Sequence, residues 1–500
     1  MIRRIRGMRP TRPTRSRAAL VSLMAFCMLF LPASRAQTPN SSGSHVARLV
    51  GEVFTSGRQL AYVSALSDEI GSRLTGTPGA RRAEEWAEAE MKRIELANVA
   101  REPFRMPASW ERGAASAALV SQGNRPLTIA SYTWTPGTNG AVEGEVVDVG
   151  AGRPEDVRRV AAAMKGRVAL VVPVGADLGA LIYNFYRAPG LVSELKDAGA
   201  LAVMIAADKQ HTMLYTAPVD FSATGRLAAL PTVSLAREDV GLMRRLLAEN
   251  KTPRVRLDVR NKVGAAFDST NIVGEIRGSD KADEIVVVGA HLDSNDLGPG
   301  ALDNAAGVAA VLETARAIKS LGLQPRRTLR FVLFMGEEEG MVGSIAYVER
   351  HRAELDKTVA ALIMDIGAGR PQGWFSMGRT DLDADILELS KPLAQFGDFA
   401  IEHAAFAATD NAPFMAEGVP NLILLQDETA YLPVHHTIAD TPDKIEPRDF
   451  ASAVATVAAT AYQIADRPQR FGRRLSPEEV KKIADETKVG EQWRASGIWK

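Results

Sequence analysis

The sequence predicts an α/β fold, with a mixed sheet flanked by helices and interrupted by a compact β-rich block. Three observations carry that expectation. Residues 285–290 (IVVVGA) and 329–335 (LRFVLFM) are near-continuous apolar runs, the texture of strands buried on both faces. Between them Val308, Val311, Leu312, Ala315 and Ile318 recur at helical spacing. Ligand-type side chains then follow successive runs: His291 and Asp293 after the first, Glu337, Glu338 and Glu339 after the second, and Asp365 after a third at 359–364. The carboxyl ends of buried strands are where such proteins build their sites.

At 500 residues the chain is longer than a single core usually organises, so two folded units are expected. Sixty basic and sixty acidic residues give a formal net charge of zero, which points to no nucleic-acid partner. Residues 1–36 read as a secretory signal. Arg3, Arg4, Arg6, Arg9, Arg12, Arg15 and Arg17 form its basic head, 18–31 its apolar run, and Ser34 and Ala36 a cleavage point before Gln37. The expected location is therefore periplasmic or secreted, with an uncleaved anchor as the alternative. Cys27, the sole cysteine, lies in the apolar run, so a mature chain would carry no disulfide, thiol nucleophile or thiolate metal site. No later stretch is apolar for long enough to span a bilayer, so no stable membrane insertion of the mature chain is expected.

Taken in order, 37–43 is a polar lead-in, and 58–65 and 80–96 are helices, the second offering Trp86, Ala89, Met91 and Ile94 as a buried stripe. The glycines of the loop from Gly71 to Gly79 relieve backbone crowding; no lysine follows to make it a phosphate loop. Beyond residue 100, short strands at 127–130, 144–149, 167–172, 201–205 and 230–235 alternate with turns and with short helices at 157–164 and 191–199. His211 and Tyr215 read as ordinary surface positions in preference to groove lining. Strands at 254–259 and 271–278 lead back to the first apolar run. Beyond Glu339 follow a helix at 343–350, the strand at 359–364, a helix at 382–396, a short segment at 403–406, a helix at 412–417, a strand at 421–425 and a helix at 451–464. Ser476, Pro477 and Glu479 have the positions of an N-cap, a first-turn proline and a capping-box acid before a surface helix reaching about residue 487. The expected boundaries are 37–115 for the first part of the main domain, 116–260 for the inserted block, 261–468 for the catalytic part and 469–500 for a helical tail.

Imidazoles and carboxylates together suit zinc, with cobalt or manganese as substitutes. Asp303 lies between a turn and a helix, where it can present both oxygens and bridge two cations about 3.5–4 Å apart. Glu337 and Glu338 are neighbours at a strand end and need not point the same way: one can ligate metal while the other deprotonates water. His435 and His436 supply imidazoles in a distant loop.

The motifs His291-Leu-Asp293, Asp303-Asn304-Ala-Ala-Gly307, Glu337-Glu338-Glu339-Gly340 with Gly343-Ser344, Asp365, Thr409-Asp410-Asn411-Ala412-Pro413-Phe414 and His436-Thr-Ile-Ala-Asp440-Thr441 occur in that order. In this the chain resembles the M28 metallopeptidases, in particular signal-bearing members with an inserted protease-associated domain, the carboxypeptidase Q-like dipeptidases and related aminopeptidases. The resemblance implies a three-layer zinc-peptidase fold with two zinc ions. It makes His291 and Asp365 terminal ligands on different metals, Asp303 the bridge, and Glu338 and His436 the remaining ligands. Glu337 becomes the general base, and Asp293 orients His291 through its other ring nitrogen. It also implies a cis peptide bond between Asp303 and Asn304. Glu338 and Glu339 leave the register open, and His435 is the alternative to His436, which is preferred because it directly precedes the Thr-x-x-Asp-Thr signature. Tyr431 either donates to the oxyanion or packs, while Asp410 and Asn411 are placed near the substrate mouth. The implied reaction is attack of a metal-bridging hydroxide on a peptide carbonyl, removing the N-terminal residue of peptides or splitting dipeptides that carry a free N-terminus. The alternatives are a glutaminyl cyclase-like enzyme using one zinc and a catalytically inactive secreted peptide-binding protein. A homodimer is left open.

Overall fold

The computed structural model describes residues 41–175, 178–220 and 227–499, and the expected signal at 1–36 lies outside them. The main sheet has eight strands, in the order Ala97–Met106, Phe267–Ile276, Arg327–Phe334, Lys281–His291, Thr358–Ile363, Asn421–Gln426, Pro371–Phe375 and Ala400–Glu402. Lys281–His291 runs parallel to both its neighbours, Arg327–Phe334 and Thr358–Ile363, so three adjacent strands end at one edge. Val286, Val287 and Val288 are all buried, which requires cover on both faces.

That cover comes from helices. Ala306–Ser320 packs with Pro447–Asp466, whose alanines admit close approach. Ser41–Ser56, where only a polar lead-in was expected to begin, buries Val46, Leu49 and Val53 against the same group. Pro78–Arg93 is capped by the Thr77 hydroxyl, which accepts from Ala80 N at 3.2 Å. It buries Ala83, Ala87 and Met91 at four-residue spacing, which turns Ala89 of the expected stripe to solvent.

A second eight-stranded sheet is built from residues 115–259, in the order Arg125–Leu127, Ala115–Leu119, Arg254–Val259, Val142–Gly150, Val168–Val171, Ala202–Ala206, Thr232–Leu235 and Ile129–Ser131. The four strands from Val142–Gly150 to Thr232–Leu235 are mutually parallel. This block carries more helix than its strand-rich sequence texture suggests. Leu178–Asp197 is one 20-residue helix, with Pro189 inside it, where only 191–199 was expected, and Arg237–Ala248 is a further helix.

Other differences are local. Pro392 turns the far end of the 382–396 helix into the 3₁₀ segment Lys391–Phe396, and the short strand falls at Ala400–Glu402 instead of 403–406. The tail is not a surface appendage: Val480, Ala484, Val489 and Trp493 join the main core with Met377 and Met415. No helix among the described residues is long and apolar enough to cross a membrane.

Candidate metal centre

The three parallel strand ends each deliver a ligand-type side chain. His291 is the last residue of Lys281–His291, Glu337 follows Arg327–Phe334 by three positions, and Asp365 follows Thr358–Ile363 by two. Asp303 comes from the turn before Ala306–Ser320. It has non-helical φ/ψ of −123° and 88° and a cis bond to Asn304, as the resemblance implied, so the expected helix opens three residues later. His436 sits in the loop after Asn421–Gln426 with φ 57°.

These side chains converge on Asp303. His291 Nε2 lies 3.2 Å from Asp303 Oδ1 and 2.8 Å from Asp365 Oδ1. On the other oxygen, His435 Nε2 and His436 Nε2 each lie 3.2 Å from Asp303 Oδ2, and His436 Nε2 is 3.1 Å from Glu338 Oε2. Two candidate metal clusters result, His291/Asp303/Asp365 and Asp303/His435/His436, sharing Asp303. The donor set also passes a chemical test for fit. Glu338 is buried, its Oε1 has no hydrogen-bond partner among the described residues and its Oε2 faces the His436 ring nitrogen at 3.1 Å, a pair of donor atoms that a cation would satisfy. Oxygen and imidazole donors around a shared carboxylate match a dinuclear zinc site.

Charge crowding says the same. Burial pushes Glu337 well above the usual carboxylate range, Asp365, Asp410 and Glu338 add to the rise, and His291 opposes it. Burial, reinforced by Asp365 and Asp293, raises Asp410 to about 7. Burial alone would raise Asp303, but the imidazoles of His291, His435 and His436 hold it well below its ordinary value.

The braces around this cluster are backbone contacts. Asp440 accepts from Leu302 N at 2.7 Å and Asp303 N at 3.0 Å, fixing the turn that presents Asp303. Asp293 was expected to orient His291 through its other ring nitrogen, and His291 Nδ1 lies 3.2 Å from the Asp293 carbonyl and 3.6 Å from its carboxylate. The carboxylate also accepts from Glu337 N at 3.4 Å, Glu338 N at 3.2 Å and the Thr75 hydroxyl at 3.0 Å, because it points across the strand ends. Arg73, buried in the Gly71–Gly79 loop, donates to the carbonyls of Leu292, Pro299 and Gly300. The sequence reading missed it; a lone arginine among small residues and turn formers was its only signal.

The cleft beside Asp303, of about 100 Å³, is lined by Glu337, Glu338, Thr409, Tyr431, His436 and Tyr215 among others. Glu339 is buried outside it, beside Asp293 and Thr75, so Glu337 and Glu338 are the pair that faces the cluster. Asp410 and Asn411 do not reach a substrate mouth. Both are fully buried at the start of the Ala412–Ala416 helix, Asn411 donating to Asn421 Oδ1, and Thr409 takes the lining position. Tyr431 packs edge-on to His435 at 5.1 Å. Tyr215 is the larger correction: it stacks on His436 at 5.5 Å and 16°, inside the site, whereas His211 is exposed. An isolated tyrosine 221 positions away gives no sequence signal for that contact.

Of the two adjacent histidines, His436 is the better prepared ligand. Its Nδ1 donates to the Thr216 carbonyl at 2.9 Å, leaving Nε2 for a metal, while His435 Nδ1 has no partner among the described residues. A second cavity, of about 360 Å³ and mainly apolar, lies at the carboxyl ends of the parallel strands in the 115–259 block; it shares Leu181, Phe185, Tyr215 and Pro218 with the cleft.

Residues 271–474 match Peptidase family M28. The chain is 30% identical to rat (Rattus norvegicus) carboxypeptidase Q over 417 residues, covering 83% of this chain and 87% of that protein. It is 26% identical to the aminopeptidase YwaD of Bacillus subtilis, over 91% and 93% of the two chains. Among solved structures, an M28 peptidase precursor from Shewanella amazonensis superposes with a TM-score of 0.79 at 27% identity, covering 87% of this chain and 99% of that one.

Proposed function

Because the chain belongs to peptidase family M28 and is a zinc metallopeptidase, we propose that it is an exopeptidase acting on peptides or dipeptides with a free N-terminus. The observation that carries this reading is the sharing of Asp303 by two clusters, with the Glu337 carboxylate lining the same small cleft. The two clusters favour a two-metal hydrolase over a one-zinc cyclase.

His291, Asp365, Asp303, Glu338 and His436 would hold the ions, with Asp303 common to both. Bound zinc polarises a carbonyl and makes water nucleophilic at neutral pH. Glu337 accepts the proton of the attacking water and passes it to the leaving amine, turning a poor leaving group into a good one. Tyr431 donates to the oxygen on which charge develops. Asp293 holds the Glu337 and Glu338 amides, and Asp440 holds those of Leu302 and Asp303, so base and bridge keep their spacing. The carboxylate-rich cleft is complementary to a substrate ammonium. The likeness to proteins named carboxypeptidase Q and aminopeptidase YwaD supports an exopeptidase reading. The 115–259 block is read as the inserted protease-associated domain, and the basic, then apolar 1–36 segment as an export signal directing the enzyme to the periplasm or beyond.

Glu337→Gln tests the reading. It should lower kcat by about a thousandfold while zinc content stays at the wild-type level. Undiminished turnover would remove Glu337 from the chemistry.

A further inference from the structure

The partner of His436 comes from a distant part of the chain. Thr216 lies in the connection between Ala202–Ala206 and Thr232–Leu235 of the second sheet, 220 positions before His436, and is fully buried. Its carbonyl accepts from His436 Nδ1 at 2.9 Å and from Asn295 Nδ2 at 3.0 Å, which occupies both lone pairs. Its hydroxyl donates to Asn295 Oδ1 at 2.9 Å, and its amide donates to the His436 carbonyl at 3.3 Å. Tyr215 stacks against the His436 ring from the same segment. Asn295 stands four residues beyond His291 in the loop leaving the central strand. One dipeptide of the second-sheet block is thus tied to the loops carrying both histidines.

We propose that Tyr215 and Thr216 are positioning residues of the metal centre, and that Asn295 locks them in place. The Thr216 carbonyl can only accept, so it fixes the proton of His436 on Nδ1 and aims Nε2 at the cluster. The Tyr215 face prevents the ring from turning away. The block at 115–259 therefore contributes to metal affinity and not only to the wall of the cleft. Linkage makes the effect reciprocal: whatever docking adds to zinc binding, zinc adds to docking. This rests on the reading of His436 as a ligand.

The test measures zinc affinity of the purified full chain by competition with a chromophoric chelator, together with the visible absorption of the cobalt-loaded protein. Tyr215→Ala and Asn295→Ala should each weaken zinc at one site about tenfold or more, the usual scale for losing a ligand's hydrogen-bond partner, and should alter the cobalt bands. Tyr215→Phe keeps the stack and should restore both. Hydrogen exchange of the 213–217 amides should slow on adding zinc to the wild type. If His436→Ala weakens zinc while Tyr215→Ala and Asn295→Ala leave affinity, cobalt bands and exchange unchanged, the positioning role is overturned and the ligand reading stands. If His436→Ala leaves zinc affinity intact, the ligand reading falls and takes this inference with it.

Discussion

Asp440 touches neither substrate nor metal in this account, yet it carries one of the larger expected penalties. Its carboxylate is the acceptor for two buried amides, Leu302 and Asp303, so Asp440→Ala leaves both without partners. An unsatisfied buried donor costs about 1–3 kcal/mol, so denaturant unfolding of the metal-free variant should show at least about 2 kcal/mol of lost stability. Asp440→Asn keeps an oxygen for one amide and should lose less. At this scale the sequence revealed residue types well. His291, Glu337, Glu338 and Asp365 could be singled out because ligand types follow successive buried runs, and Asp303 and His436 because of the motifs around them. Tyr215, Thr216, Arg73 and Thr75 could not, because their contribution is a carbonyl, a ring face or a buried hydrogen bond across more than 200 positions. Asp410 and Asn411 were misplaced for the converse reason: polar residues before a short helix read as exposed, and here Ala412, Pro413, Phe414 and Met415 of that helix are themselves buried.

Among the elements, Pro477–Thr487 shows how local chemistry can be read without tertiary knowledge. Ser476 accepts from Glu479 N, and the Glu479 carboxylate accepts from Ser476 N at 2.9 Å, the capping box expected from the sequence. What the sequence could not show is that this helix leads into Trp493, which is wholly buried. Ser476→Ala should cost about 1 kcal/mol and loosen the tail, detectable as faster exchange of the 489–496 amides. Arg473 and the Ser476 amide depress Glu479 to about 2. A carboxylate lowered in the folded state contributes stability that is present above its unfolded value near 4.3 and is lost as pH falls through the folded one. The helix should therefore stay intact at pH 5 and fray between about pH 4 and 2, an effect that Glu479→Gln would remove. Leu178–Asp197 is the opposite case: it runs through Pro189 and well beyond the expected 191–199, because packing against the block's own core overrides local preference.

Across the whole molecule, the second-sheet block grips the main unit around the site. Arg112, just before the block, pairs with Asp296 at 2.6 Å and donates to Ser131 Oγ of the block at 3.0 Å, Tyr186 donates to the Ala407 carbonyl at 2.6 Å, and Lys209 donates to the Leu432 carbonyl at 2.6 Å. Zinc bound at a thousand times its dissociation constant would add about 4 kcal/mol to folding, so chelation should lower the melting temperature by several degrees in a scan against added zinc. The 360 Å³ apolar cavity beside the cleft leads to a specificity expectation. Ala188 lines it, and Ala188→Phe should lower kcat/KM about tenfold for peptides with a large apolar residue while sparing alanine peptides. The central claim, a zinc exopeptidase that reads a free N-terminus, is tested most directly by mass-spectrometric product analysis. Matched dipeptides and tripeptides with free or acetylated N-termini would be incubated with zinc-loaded and metal-free protein. Zinc-dependent release of the N-terminal residue from free peptides alone is the predicted result; cleavage of the acetylated peptides, or none at all by protein verified to hold two zinc ions, would contradict it.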